Sequence, residues 1–311
     1  AYKYTWKANT VAVVSDGSAV LDDVGDMEQD FGLPEQPVIA CAPGTFALSV
    51  TDVDRTYDVL GLVLLDSGDY ARSGGYGSPS EAALRFLADA PGLMAAQSQQ
   101  LQQDRQDEQD SPREPRKTPS TLPCMVFQHF PIEQYYRLLK PVAATAARAI
   151  EGYRNFAGRH FVLNEDKTQP GSYLGEGVSC PDADSGEFAI LDKAGYFAIS
   201  AGHDHRNAFV GSVPVGTDGD RQMMMVASPT SGFGSNGPVP AKRAARLFEF
   251  DIRHPYSPRT QLLTFGELVG KPSSNKAYTY AVEGQSNAAD GVNLLRKPGL
   301  LAGVAAALKK I

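Results

Sequence analysis

Short apolar runs separated by glycine, proline and polar turns recur along the chain, and their lengths predict strands more often than helices. Val38 to Ala42 and Thr45 to Val50 flank Pro43-Gly44, a turn signal, and read as a strand pair. Leu60 to Leu65, Cys124 to Phe127 and Tyr196 to Ser200 are continuous apolar runs of buried-strand length. Met223 to Ala227, Arg246 to Ile252 and Gln261 to Phe265 add three more, and Thr10 to Val14 reads as another near the start. Helical spacing appears in Pro79 to Ala90, which opens with Pro-Ser-Glu, and in Glu187 to Lys193. Gln134 to Phe156 reads as one or two helices broken or kinked at Pro141. Strands alternating with helices predict an α/β sheet.

Two stretches depart from this pattern. Residues 97–123 are rich in Gln, Asp, Arg, Ser and Pro, with almost nothing to bury, and are expected to form a disordered or mobile insertion. From Lys271 the chain turns polar, then ends in an amphipathic Ala/Leu-rich segment, Leu294 to Ile311, expected to be an exposed or docking helix. The expected organisation is therefore a single α/β unit over 1–270, followed by a linker and C-terminal helix over 271–311.

Composition narrows the function classes. A formal charge of −7 and a hydrophobic content of 42% describe an ordinary globular chain and argue against a nucleic-acid or anionic-membrane binder. The mixed charges of 97–123 do not form a basic signal. No apolar run has the length of a membrane-spanning helix, so stable membrane insertion is not expected. Cys41, Cys124 and Cys180 are odd in number and lack CxxC spacing, which makes buried free thiols the default. Together with the lack of a signal-peptide pattern, this leans towards a cytoplasmic location.

The candidate chemistry lies at strand exits, where open α/β sheets build their sites. Gly202 to His205 (GHDH) follows the Tyr196–Ser200 run, with Gly202 expected to make the tight turn. Two imidazoles at i and i+2 on an extended segment point to one side, and imidazole is a common metal ligand. His129 leaves the Cys124–Phe127 run in the same way, with Pro131 fixing the turn beyond. Three of the chain's five histidines thus sit where a site would be built, whereas His160 and His254 read as surface residues. The acidic stretch Asp22 to Asp30 reads as a solvated loop, Asp66 as a structural hydrogen-bonder and the methionines as core filler.

HFP (His129 to Pro131) and GHDH do not stand alone. LVLLDSGDY (Leu62 to Tyr70), GSYLGEGVSC followed by SGEFAIL (Gly171 to Leu191), and GFGSNG followed by RAARLFEFD (Gly232 to Asp251) accompany them in order. This set resembles the calcineurin-like metallophosphoesterase superfamily over about Ala42 to Phe265, and is most similar to the purple acid phosphatase 29-like branch. The resemblance implies a β-sandwich flanked by helices, four layers in the order α/β/β/α. It implies a phosphoesterase in which two metal ions (Mn, Fe or Zn) clamp a phosphoryl group while a metal-bound hydroxide attacks phosphorus in line. By that resemblance His129 and His203 ligate one metal and His205 the other. Asp204 links the strand end, and Asn207 and Glu176 stand behind the ligands and could orient them.

The resemblance also implies parts that this sequence lacks. The family's Asp-containing strand-end motif, its GD motif, and its GNH motif with the Asn ligand and general-acid histidine have no counterpart here. Asp16 and Gly25-Asp26 are only about ten residues apart, too few for a strand, a crossover and a parallel strand. The catalytic acid is therefore unassigned, and the chain, which begins at Ala1, is expected to be the C-terminal portion of an N-terminally incomplete domain. The competing readings are a catalytically degenerate phosphatase-like binding or scaffold module, and a structural zinc site. The partner is a phosphorylated substrate whose class the residues leave open, as they do the oligomeric state.

Overall fold

A computed structural model describes residues 38–52, 57–108, 119–232, 237–251 and 253–270. The expected strand at Thr10–Val14, the acidic stretch Asp22–Asp30, the Asp16 and Gly25-Asp26 pair, and the C-terminal segment Leu294–Ile311 lie outside these residues.

Seven strands form one mixed sheet in the order β1-β2-β3-β4-β8-β10-β9. They are β1 (Val38–Ala42), β2 (Thr45–Thr51), β3 (Asp58–Leu65), β4 (Cys124–Gln128), β8 (Ala198–Ala201), β9 (Val210–Val215) and β10 (Arg221–Ala227). The predicted β1–β2 hairpin around Pro43-Gly44 is present and antiparallel. The centre of the sheet is parallel: β3 pairs with β4, β4 with β8, and β8 with β10. Those central strands are the continuous apolar runs, as strands covered on both faces require; every residue of β4 and β8 is buried. β9 was not expected, because Gly211 and Pro214 interrupt its pattern. It lies at the sheet edge, where proline's missing donor is tolerated.

Each face of the sheet has its own core. On one face, Val63, Val126 and Ile199 pack with Leu87 and Met94 of helix α1 (Glu81–Glu108) and Leu191 of helix α2 (Glu187–Ala194). On the other, Leu60, Leu62, Met125 and Phe127 pack with Phe248 of β11 (Ala244–Glu249), which is hydrogen-bonded to β12 (Arg259–Thr264). Phe127 and Phe248 meet edge-on at 5.4 Å. Burying Met94, Met125, Met223 and Met225 in these cores matches their reading as filler.

Helix α1 starts where the sequence places it, with the Ser80 hydroxyl accepting the Ala83 N–H as a cap. It then runs beyond Ala90, through Pro91, to Glu108. Residues 97–108, expected within a mobile insertion, therefore continue the helix; Ser98 is buried and its Oγ accepts the Asp58 N–H. Of the remainder of that stretch, Leu122 is buried and residues 109–118 lie outside the described set.

The helices expected over Gln134–Phe156 are a correction. The segment is a 3-10 helix (Glu133–Leu138), strand β5 (Leu139–Val142), strand β6 (Ile150–Glu151) and a 3-10 turn (Arg154–Phe156). β5 and β6 flank β7 (His160–Leu163) in a three-stranded sheet. Pro141 decides this, since it cannot donate within a helix but is accommodated on the outer strand β5. His160 accordingly sits in a strand, half-buried. Of the cysteines, Cys124 and Cys180 are buried free thiols, whereas Cys41 on β1 is exposed. A short helix α3 (Phe265–Leu268) closes the described chain. No helix among the described residues is long and apolar enough to cross a membrane.

Candidate metal centre

The register of β4 on β8 places Gln128 opposite Ala201, so the two strands end side by side. The next residues are His129 and, one beyond Gly202, His203. The Gly202 N–H donates to the carbonyls of Gln128 (3.3 Å) and His129 (3.1 Å), tying the exits together. The tight turn expected of Gly202 is made by His203, whose φ is +59°. This left-handed conformation is uncommon outside glycine, though His, Asn and Asp are enriched in it. Consequently GHDH is a turn, not an extended segment, and the simple i, i+2 alternation does not describe how its imidazoles project.

His203 Nδ1 and His129 Nε2 are 3.1 Å apart. Around His203 stand Tyr76, edge-on at 4.3 Å, and Phe130 at 4.9 Å, with Tyr153 stacked on Tyr76. Burial, then the neighbouring His129 and His205, depresses the His203 pKa to about 4, so its ring is neutral at neutral pH. Partial burial and then Tyr153 push the Tyr76 phenol up to about 12, leaving it protonated. His205 is half-buried, and its carbonyl accepts the Thr230 N–H at 3.1 Å.

Behind the histidines, buried Asp204 accepts the Ser179 N–H with both oxygens (3.2 and 3.3 Å) and the Asn207 amide at 3.1 Å. Burial raises its carboxyl to about 7, a shift limited by those same donors. Asn207, fully buried, accepts the Gly175 and Glu176 N–H groups at 3.0 and 3.1 Å. Glu176 answers by accepting the Arg206 N–H at 2.7 Å. The two loops are so close at Gly175 that a Cβ there would lie 2.6 Å from the Arg206 carbonyl. Thus Asn207 and Glu176, expected behind the ligands, clamp the 171–181 loop to the histidine loop through backbone groups. Asp204, expected only as a linker, is the centre of that clamp.

Two nitrogen ligands with bonds of about 2.0–2.1 Å at a tetrahedral ion stand roughly 3.3 Å apart, so the His129–His203 pair fits adjacent positions on one ion. The same two nitrogens also form a hydrogen bond without an ion, because one neutral imidazole can donate to the other. Among the described residues, no three His, Cys, Asp or Glu side chains converge on a point that could hold an ion. A nearby cation is also neutralised: Arg154 makes a two-pronged pair with Asp182, with Nε 2.8 and 2.9 Å from its two oxygens. The aromatic wall was missed by sequence reasoning. The Gly74-Gly75 pair, both at positive φ immediately before Tyr76, was its one available signal.

No protein-family model matches the chain, and no curated protein matches it.

Proposed function

We propose that this chain carries the histidine-rich half of a metal-dependent phosphoesterase site, with His129 and His203 on one ion and His205 towards a second. The observation that carries this reading is the pair of imidazole nitrogens 3.1 Å apart at the carboxyl ends of adjacent parallel strands. That is the pair which the motif resemblance assigns to a single metal. The ions, drawn from Mn, Fe or Zn, would polarise a phosphoryl oxygen and spread the charge developing on it. The protein's own contribution is positional. It holds the His203 ring neutral and ready to donate a lone pair, it ties the two strand exits through the Gly202 N–H, and it fixes the GHDH loop to the 171–181 loop through the Asp204–Asn207 clamp. Tyr76 and Phe130 exclude water from one side of the pair. Carboxylate and Asn ligands, and a general acid, would come from beyond the described residues.

The four-layer sandwich belongs to the same proposal. It is supported by β11–β12 covering the sheet face opposite α1 and α2 through Phe248. The partner is a phosphorylated substrate whose class the site leaves open. A second reading, a degenerate phosphatase-like binding module, draws on a specific feature: the two imidazoles hydrogen-bond to each other without an ion, and no third ligand joins them among the described residues.

The test is metal content of the purified chain beside His203→Ala, with aryl phosphate hydrolysis in added manganese. Stoichiometric metal that is lost in the variant supports the site, and turnover in addition shows it complete. A folded chain that takes up no metal would sink the phosphoesterase reading in favour of the binding module.

A further inference from the structure

A small, partly open pocket lies beyond the β4 exit, between that exit and the start of α2. Ser67, Gln128, Phe130, Glu133, Asp184 and Glu187 contribute to its walls. It has room for one guest of about the size of a water molecule. Glu187 is 1% exposed and Gln128 6%; the Gln128 amide lies beside the Glu187 carboxyl, yet no well-aligned hydrogen bond reaches either Glu187 oxygen or the Gln128 carbonyl oxygen. The orientation of Gln128 is fixed at its other end, where Nε2 donates to the Phe130 carbonyl at 2.8 Å. Gln134, which is also buried, repeats the pattern: Nε2 donates to Asp184 at 3.0 Å and its carbonyl oxygen has no partner.

Native interiors leave few buried polar atoms unsatisfied. With Glu187 ionised, the unsatisfied ones are all acceptors, so the guest that suits them is positive and small and takes the place of the carboxyl proton. The charge balance narrows it further. Asp184 is already engaged by Gln134 and by the Gly186 N–H at 2.9 Å, which leaves Glu187 as the one buried carboxyl beside neutral amide oxygens. Burial drives that carboxyl up to about 8, although the nearby Gln128 amide holds it down somewhat, so an ionised Glu187 without a counter-charge is costly.

We propose that this pocket binds a single monovalent alkali cation of the potassium size class, held by the Glu187 carboxylate, the Gln128 carbonyl oxygen and the Ser67 hydroxyl. The cation would join the exit of β4 to the first turn of α2, and Gln128 is the residue immediately before His129. Its binding would therefore stiffen the segment that presents His129, whether or not the histidines hold a metal. This site is separate from the histidine pair and does not depend on the phosphoesterase reading.

The test compares thermal melting of the full chain in potassium, sodium and N-methylglucamine chlorides at equal ionic strength, alongside Glu187→Gln. The expected result is a saturable rise in melting temperature in potassium over N-methylglucamine, abolished in Glu187→Gln. Equal melting in all three salts, or a potassium effect that survives the substitution, overturns the proposal. If Glu187→Gln does not fold, wild-type crystals soaked in rubidium decide: anomalous density between Glu187 and Gln128 supports the site, and an ordered water alone refutes it.

Discussion

His203 shows what a single residue stores in this site. A non-glycine side chain at φ +59° costs about 1–2 kcal/mol, and here the turn between two tied strand exits imposes it. His203→Gly is therefore expected to be more stable to urea than His203→Ala by about 1 kcal/mol, although both remove the imidazole. Equal midpoints would mean that the turn is not imposed on the residue. Asp204 is the complementary case, a buried carboxyl that accepts from the Ser179 N–H, shared between its two oxygens, and from the Asn207 amide. Asp204→Ala strands the Ser179 N–H and the Asn207 amide and should cost on the order of 3 kcal/mol in chemical denaturation, well beyond Asp204→Asn. The histidines were legible in the sequence because imidazoles are scarce in this chain and follow recognisable strands. Tyr76 and Glu187 were not, because burial beside a partner distant in sequence leaves no local mark.

At the level of elements, α1 explains how a proline sits inside a helix. Pro91 has no N–H to give the Leu87 carbonyl, and the Tyr196 hydroxyl, just before β8, donates to that carbonyl at 3.0 Å. The Pro91 carbonyl in turn accepts the Leu122 N–H at 2.9 Å, so the proline turn is fastened to the segment entering β4. Tyr196→Phe should cost about 1–3 kcal/mol by leaving the buried Leu87 carbonyl without a donor. In a Pro91→Ala background the helix supplies its own donor, so the same substitution should cost clearly less. A double-mutant cycle in urea with no coupling would refute this exchange of donors. The starting cap of α1 could be read from Pro-Ser-Glu; its continuation to Glu108 could not, because polar composition over 97–108 resembles a loop unless the sheet beneath is known. Gln134–Phe156 failed for the opposite reason. Its apolar spacing permits a helix, and only pairing with β7 shows that β5 and β6 are strands.

At the scale of the molecule, among the described residues, His203, Asp204 and Glu187 carry the shifts that act between pH 4 and 8 in the absence of bound metal or alkali cation. The depressed His203 makes stability fall as pH drops from 6.5 towards 4. The raised Asp204 and Glu187 act in the other direction: their contribution is full below about 4 and is lost as pH climbs to about 7 and 8. Above pH 6.5 the histidine is neutral in both states, so only the carboxyls count. Urea midpoints should therefore fall between pH 6.5 and 8, and Asp204→Asn with Glu187→Gln should flatten that decline. A wild-type midpoint that rises over this interval would contradict the assigned burial. The sequence by itself determined the alternation of strands and helices, the buried character of β3, β4 and β8, and the placing of His129 and His203 at strand exits, because each follows from local periodicity and turn chemistry. Which strands lie side by side was decided only by the tertiary structure. The pairing of β4 with β8 joins histidines 74 positions apart, and the docking of α2 against the β4 exit buries Glu187. Both rest on hydrogen-bond register and face-to-face packing between distant segments, to which no local pattern of residues corresponds.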